Sequence, residues 1–191
     1  MEPEVHIIEK YFQEILHCFT MTNIKCKGNK EIDLLAINPK TQERFHVEVR
    51  IATRSKIKKE EGLFLYWKNV PRRIGLDYFQ RYKFEDKRVK QKIAEMFGAD
   101  TYQKILVVWD TQEGPNEFKI KDFAEQHYGI KLVTLRAMIF RFMKCRITSG
   151  SRDDILRTME LVRLMEERKV KIQKKLNKQR REKDIQNKDK S

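Results

Sequence analysis

The sequence predicts an α/β protein: a mixed β-sheet flanked by helices, with a C-terminal helical extension. Three observations lead there. The apolar residues change period along the chain, from helical spacing to strict alternation and back to helical spacing. Two apolar segments, Lys104–Trp109 and Ile130–Leu135, bracket an amphipathic stretch, and a strand–helix–strand order of that kind implies parallel pairing. A chain of 191 residues with 40% apolar side chains can bury a sizeable core.

The elements follow in order. Over residues 4–20, Val5, Ile8, Phe12, Ile15, Leu16 and Phe19 fall at helical spacing. Asn23–Cys26 and Glu31–Ile37 read as strands, and Asn38-Pro39 with Lys40 and Thr41 as a turn. Arg44–Ile51 alternates strictly, with Phe45, Val47, Val49 and Ile51 on one face and His46, Glu48 and Arg50 on the other. Thr53–Glu61 is so charged that it reads as a loop or a helix start. Residues 62–85 then hold seven of the nineteen aromatic side chains. A helix over 86–97 stops at Gly98, Lys104–Trp109 is a strand buried on both faces, and Asp110–Asn116 is a loop. A short helix over 118–128 ends at Gly129 and leads into the strand Ile130–Leu135. After Ser149-Gly150-Ser151 a new helix opens on Asp153 and Asp154, with Ile155, Met159, Val162 and Met165 on a face expected to dock. The implied organisation is a domain over 1–150 and a basic helix over 151–191 that frays at its end.

Composition excludes several functions. The longest aliphatic run, Ile105–Val108, is far too short to span a membrane. The N-terminus has neither a basic start nor an apolar run, and Cys18, Cys26 and Cys145 make no CxxC pair. The expectation is therefore a cytoplasmic protein with reduced thiols and no zinc site. A net charge of +14 points to a polyanionic partner. That charge is localised: residues 1–49 carry 6 basic and 8 acidic side chains, whereas residues 50–92 carry 14 and 5.

Three acids stand out: Glu9 on the first helix, Asp33 inside an apolar strand, and Glu48 on the polar side of the next. An isolated carboxylate among Ile32, Leu34 and Leu35 is costly without a partner. Pairing of the two strands in antiparallel fashion brings Asp33 and Glu48 together, and a divalent cation relieves the repulsion of two close carboxylates. Oxygen ligands of this kind suit Mg²⁺ or Mn²⁺. Glu14 is a second helix glutamate, nearer the exposed side, and His46 shares the face of Glu48.

Glu9, the run Lys27-Gly-Asn-Lys-Glu-Ile-Asp-Leu-Leu-Ala36 and Val47-Glu-Val-Arg50 together resemble the PD-(D/E)XK nuclease superfamily, nearest to archaeal Holliday-junction resolvases and Mrr-like endonucleases. The likeness covers about residues 4–52. It implies a restriction-endonuclease-like fold and Mg²⁺- or Mn²⁺-dependent cutting of DNA. Asp33, Glu48 and the backbone carbonyl of Val49 would hold the metal, and Glu9 a metal-bound water or a second ion. It also implies a possible homodimer. Arg50 stands where the family has lysine, and a guanidinium cannot serve as a base. Arg50 can still clamp a phosphate, and Lys27, Lys30 or Lys56 are candidates for the missing amine. Lys27, Asn29, Lys30, Arg54, Lys56, Lys58, Lys59, Arg72 and Arg73 are the candidate nucleic-acid contacts, and the aromatics of 62–85 are readable as a base platform or as core. The alternative readings are a non-catalytic nucleic-acid-binding protein on the same scaffold, marked by Arg50, and an interaction protein that docks through its C-terminal helix.

Overall fold

A computed structural model describes residues 2–51, 56–59, 63–66, 74–111, 115–144 and 153–158, with positions 161, 162, 164, 165 and 168 beyond them. The backbone divides into two units, residues 1–141 and 142–191. Among the described residues no helix is long and apolar enough to cross a membrane.

Helix α1 (Pro3–Glu14) opens on a proline, whose missing N–H costs nothing at a helix start, and buries Val5, Ile8, Tyr11 and Phe12. It is shorter than the 4–20 read from the sequence. The N–H of Leu16 bonds the carbonyl of Tyr11, that of Cys18 bonds Phe12, and His17 takes a φ of 53°, so the chain turns. Phe19, the last residue of the apolar stripe, instead begins strand β1 (Phe19–Cys26) and is 70% exposed. Strand β2 (Lys30–Ile37) returns antiparallel through Lys27-Gly28-Asn29, where φ is 70° at Gly28 and 56° at Asn29, a conformation glycine and asparagine tolerate best. The turn into strand β3 (Arg44–Arg50) is tied by Asn38, whose Oδ1 accepts the N–H groups of Lys40 and Thr41 while its amide donates to the carbonyl of Leu16.

Strand β4 (Lys56–Lys59) corrects the expectation of a loop or helix start over 53–61. It pairs with β5 (Leu63–Tyr66), which pairs with β6 (Ile74–Gly75). Helix α2 (Leu76–Phe79) runs directly into a π-helical turn (Gln80–Phe84), and α3 (Lys87–Phe97) follows. Asp86 caps α3 by accepting the N–H of Arg88, and Gly98, at φ 63°, ends it. Strand β7 (Gln103–Val108) passes into β8 (Asp110–Thr111), where the sequence predicts only loop. Then come α4 (Pro115–Tyr128), β9 (Ile130–Thr134) and α5 (Leu135–Lys144), a helix the sequence pattern did not reveal.

The main sheet has the order β1-β2-β3-β7-β9, antiparallel through β3 and parallel from β3 to β9, a mixed α/β arrangement. A smaller sheet has the order β6-β5-β4-β8. Its parallel β4–β8 pair succeeds the parallel β3–β7 pair along the same two stretches of chain.

Helix α1 covers one face of the main sheet, with Phe12 edge-on to Phe45 at 5.5 Å between ring centroids. On the other face, Val89 and Ile93 of α3 pack with Ile32 and Leu35, and Phe84 meets Leu106, Ile120 and Ile130 in a second cluster. The polar side of β3 therefore does not face water: His46 and Glu48 are 0% and 1% exposed. Alternation in β3 separates two buried faces of different chemistry, because the α2–π-turn–α3 segment lies over the second one.

In the second unit, Asp153 accepts the N–H groups of Ile155 and Leu156 and so caps the helical residues 154–158. Leu156 is buried, but Val162 and Met165, expected to dock, are 45% and 62% exposed, and Met159 of the same stripe lies outside the described residues.

Replacement of Phe12 by alanine removes a fully buried ring and its contact with Phe45. The expected loss is about 3–4 kcal/mol, seen as a lower urea midpoint at unchanged slope.

Candidate active site

The ladder between β2 and β3 runs from Ile37–Arg44 to Leu34–Val47 and stops there. One position further on, where the strands part, stand Asp33 and Glu48. The N–H of Val49 donates to Asp33 Oδ2 at 2.7 Å, so a side chain takes over the bond that a continuing ladder would have made. Val49, whose backbone carbonyl was anticipated as a metal ligand, lines the same cleft as Asp33 and Glu48. Glu48 has both oxygens engaged. Oε1 lies 2.9 Å from His46 Nε2, and Oε2 lies 2.6 Å from Lys83 Nζ. Lys83 also donates to the carbonyl of Glu31 at 3.2 Å.

His46 is wedged between rings, 4.8 Å from Phe84 and 5.7 Å from Tyr102, centroid to centroid. Its Nδ1 is buried with no hydrogen-bond partner. A bare acceptor lone pair is cheaper to bury than a bare N–H, so the tautomer that fits is neutral, with Nε2–H donating to Glu48.

Lys83 is the candidate site residue that the sequence reading did not single out. It was one of several cations among the aromatics of 62–85, while Lys27, Lys30 and Lys56 were considered for the amine. The π-turn brings it in. The N–H of Glu85 bonds the carbonyl of Gln80 five residues back, and this wider turn places Lys83 and Phe84 side by side on the sheet. An ordinary helix advances about 100° per residue and could not keep Phe79, Lys83 and Phe84 all inward. No local signal in Tyr82-Lys83-Phe84 distinguishes this lysine from Arg81 two residues earlier.

These groups border a cleft of about 810 Å³ lined by Glu2, Pro3, Val5, Asn23, Lys25, Glu31, Asp33, Glu48, Val49, Arg50, Tyr78, Phe79 and Lys83. Arg50 belongs to it as expected. Glu9 does not: it accepts from Thr20 Oγ1 and meets His6 Nδ1, both at 3.2 Å, further along β1. The α1 end that reaches the cleft is the other one, through Glu2. Glu14 is exposed at the far end of the helix.

Of the expected nucleic-acid contacts, Lys27 and Asn29 are exposed in the β1–β2 turn, outside the cleft. Lys30 is engaged with Asp86 at 3.6 Å and with the carbonyl of Tyr82 at 3.3 Å. Lys56, Lys58 and Lys59 lie in β4, of which the backbone alone is described, and Arg54, Arg72 and Arg73 fall outside the described residues.

Burial first, and then the charge of Glu48, push the Asp33 carboxyl up to about 7 against the opposing pull of Lys83 and the Val49 N–H. Burial works against the ammonium of Lys83, but Glu48 and Asp33 outweigh it and raise its pKa. The site thus sets the close Glu48–Lys83 contact beside a second carboxyl, Asp33, that burial pushes up to about 7. Oxygen donors of this kind suit a divalent cation, which Asp33 and Glu48 would hold. It is a pair and not a larger cluster, since no three His, Cys, Asp or Glu side chains among the described residues converge.

No family model matches this chain, and no curated protein is similar to it. Among solved structures, the crystal structure of a protein of unknown function, AF1548, aligns over 82% of this chain and 77% of its own, with 16% identity and a TM-score of 0.43.

Two outcomes follow from this electrostatics. Lys83→Ala leaves a buried carboxylate without its counter-charge and is expected to destabilise the fold by about 3 kcal/mol in chemical denaturation. Because the folded-state pKa of Asp33 is raised from 3.8 to about 7, stability is lost as pH rises across that interval. Asp33→Asn keeps an acceptor for the Val49 N–H without the charge. It should be more stable than wild type at and above neutral pH, by about 4 kcal/mol, with the gap closing as pH falls towards 3.8.

Proposed function

We propose that this chain is a metal-dependent nuclease of the PD-(D/E)XK type, with its lysine supplied from the π-turn. The observation that carries the reading is the set Asp33, Glu48 and Lys83 at the mouth of the parted β2 and β3 strands, with Lys83 Nζ 2.6 Å from Glu48. In this reading Lys83 takes the part that Arg50 cannot, as an amine able to orient water beside the carboxylates. Arg50, on the same cleft, holds the phosphate and meets the charge that develops on it. Asp33 and Glu48 would hold Mg²⁺ or Mn²⁺, which when bound polarises a phosphate and acidifies water. Val49 fixes the direction of Asp33, and His46 that of Glu48. The excess of basic side chains in residues 50–92 supports a polyanion as substrate, with DNA favoured.

A second reading has its own support. Glu48 is already neutralised by Lys83 and hydrogen-bonded by His46, and Glu9 stands apart from the cleft. Both features suit a nucleic-acid-binding protein that does not cut.

Incubation of supercoiled, branched and single-stranded DNA with Mg²⁺ or Mn²⁺ separates the two. The nuclease reading expects cutting that Asp33→Asn abolishes and Lys83→Ala slows by about 10²–10⁴-fold, and Mn²⁺ that raises the melting temperature of wild type but not of Asp33→Asn. Binding without cutting under either metal would leave the second reading. Cutting that persists in Asp33→Asn would sink the assignment.

A further inference from the structure

The α2–π-turn segment supplies more than Lys83. It carries four aromatic side chains, and they divide sharply: Phe79 and Phe84 are 3% and 0% exposed, whereas Tyr78 and Tyr82 are 41% and 44% exposed. The core has taken the phenylalanines and left the tyrosines outside. The two tyrosine rings lie 5.1 Å apart between centroids with their planes 42° from parallel, forming one continuous aromatic surface. This surface adjoins the carboxylates, because Tyr78 lines the same cleft as Asp33, Glu48 and Lys83. It is also flanked by cations: Lys30 Nζ sits 5.5 Å from the centre of the Tyr82 ring, and Arg81 is exposed on the same turn.

We propose that Tyr78 and Tyr82 are a stacking platform for unpaired bases, so that the substrate class is single-stranded or branched nucleic acid rather than uninterrupted duplex. The inference rests on the reading of the cleft as a nuclease site. Its physical basis is that a duplex keeps the faces of its bases stacked on one another, so exposed rings can engage only a nucleotide whose base is free. Rings beside the carboxylates then select the strand by what it offers next to the scissile phosphate. Arg81 supplies charge for the flanking phosphates, which gives affinity without sequence choice, while Lys30, tied to Asp86 and the Tyr82 carbonyl, holds the Tyr82 ring in place.

The test is a binding measurement on the full chain carrying Asp33→Asn, which removes cutting from the assay. Fluorescein-labelled oligonucleotides of one sequence, single-stranded, fully duplex and with a single-stranded flap, are titrated against three proteins. These are the parent, Tyr78→Ala/Tyr82→Ala and Tyr78→Phe/Tyr82→Phe. The expected result is tighter binding of the single-stranded and flap forms by the parent. The alanine pair should lose roughly tenfold or more of that affinity, and the phenylalanine pair should keep it. A 2-aminopurine in the single strand should be quenched by the parent and the phenylalanine pair and not by the alanine pair. Unchanged single-strand affinity and quenching in the alanine pair, a preference for plain duplex, or no binding of any nucleic acid would each overturn the proposal. Failure of the nuclease reading has a different signature: wild type that cuts nothing with Mn²⁺ while tyrosine-dependent binding persists, which leaves the platform in place.

Discussion

Glu48 is a carboxylate in the middle of a sheet, 1% exposed, between two neighbouring strands and under a layer of helix. An ionised group in that position is tolerated only if it is paired and hydrogen-bonded. The requirement reaches outward through the structure. His46 must be buried beside it to donate to one oxygen, and Phe84 and Tyr102 must enclose His46. Lys83 must arrive at the other oxygen from a segment thirty-five residues further along the chain. The irregular turn over Gln80–Phe84 reconciles these demands, since it lets a lysine and a phenylalanine adjacent in sequence both face the sheet. A regular helix there would have kept Lys83 near the face of Phe79, its i+4 partner, and turned Phe84 away from the sheet.

Beside this settled pair sits an unsettled one. Asp33 is buried next to the same carboxylate, and the Val49 N–H and the field of Lys83 offset only part of the cost. The fold stores at this point an acid that neutral pH leaves half-protonated, which is a stability penalty with no structural return. Penalties of this kind cluster where a protein binds or reacts. The parted strands have the same character, because the ladder is given up one residue pair early to make room for the side chains.

Much of this was legible in the residues, and the losses have identifiable causes. The alternation of β3, the apolar β7 and β9 and the stop at Gly98 are short-range patterns, and the observed elements follow them. Asp33 and Glu48 were visible because a charge inside an apolar run and a carboxylate on an alternating strand are both conspicuous. The errors arose where a local pattern outran its element. The stripe of α1 continues to Phe19 by spacing alone, although the chain has already turned at His17. Glu9 had the right residue type on the right helix, but α1 presents Glu2 to the cleft and leaves Glu9 with Thr20. The charged stretch around Lys56–Lys59 looked like loop because the partners that make it a strand are distant.

What the amino-acid order could decide alone was periodicity: the helices α1, α3 and α4, the strands of the main sheet, that this sheet is mixed, and that Asp33 and Glu48 stand on neighbouring strands. These depend on neighbours a few residues apart and on an antiparallel register that one tight turn sets. What required the folded chain was every relation across the layers. That the polar face of β3 is a second interior, that Lys83 rather than Lys27 or Lys30 meets Glu48, and that Tyr78 and Tyr82 stay outside while Phe79 and Phe84 go in are all consequences of the α2–π-turn–α3 segment docking on the sheet. Burial is a property of that docking, and burial is what raises the proton affinity of Asp33 beside the paired carboxylate of Glu48.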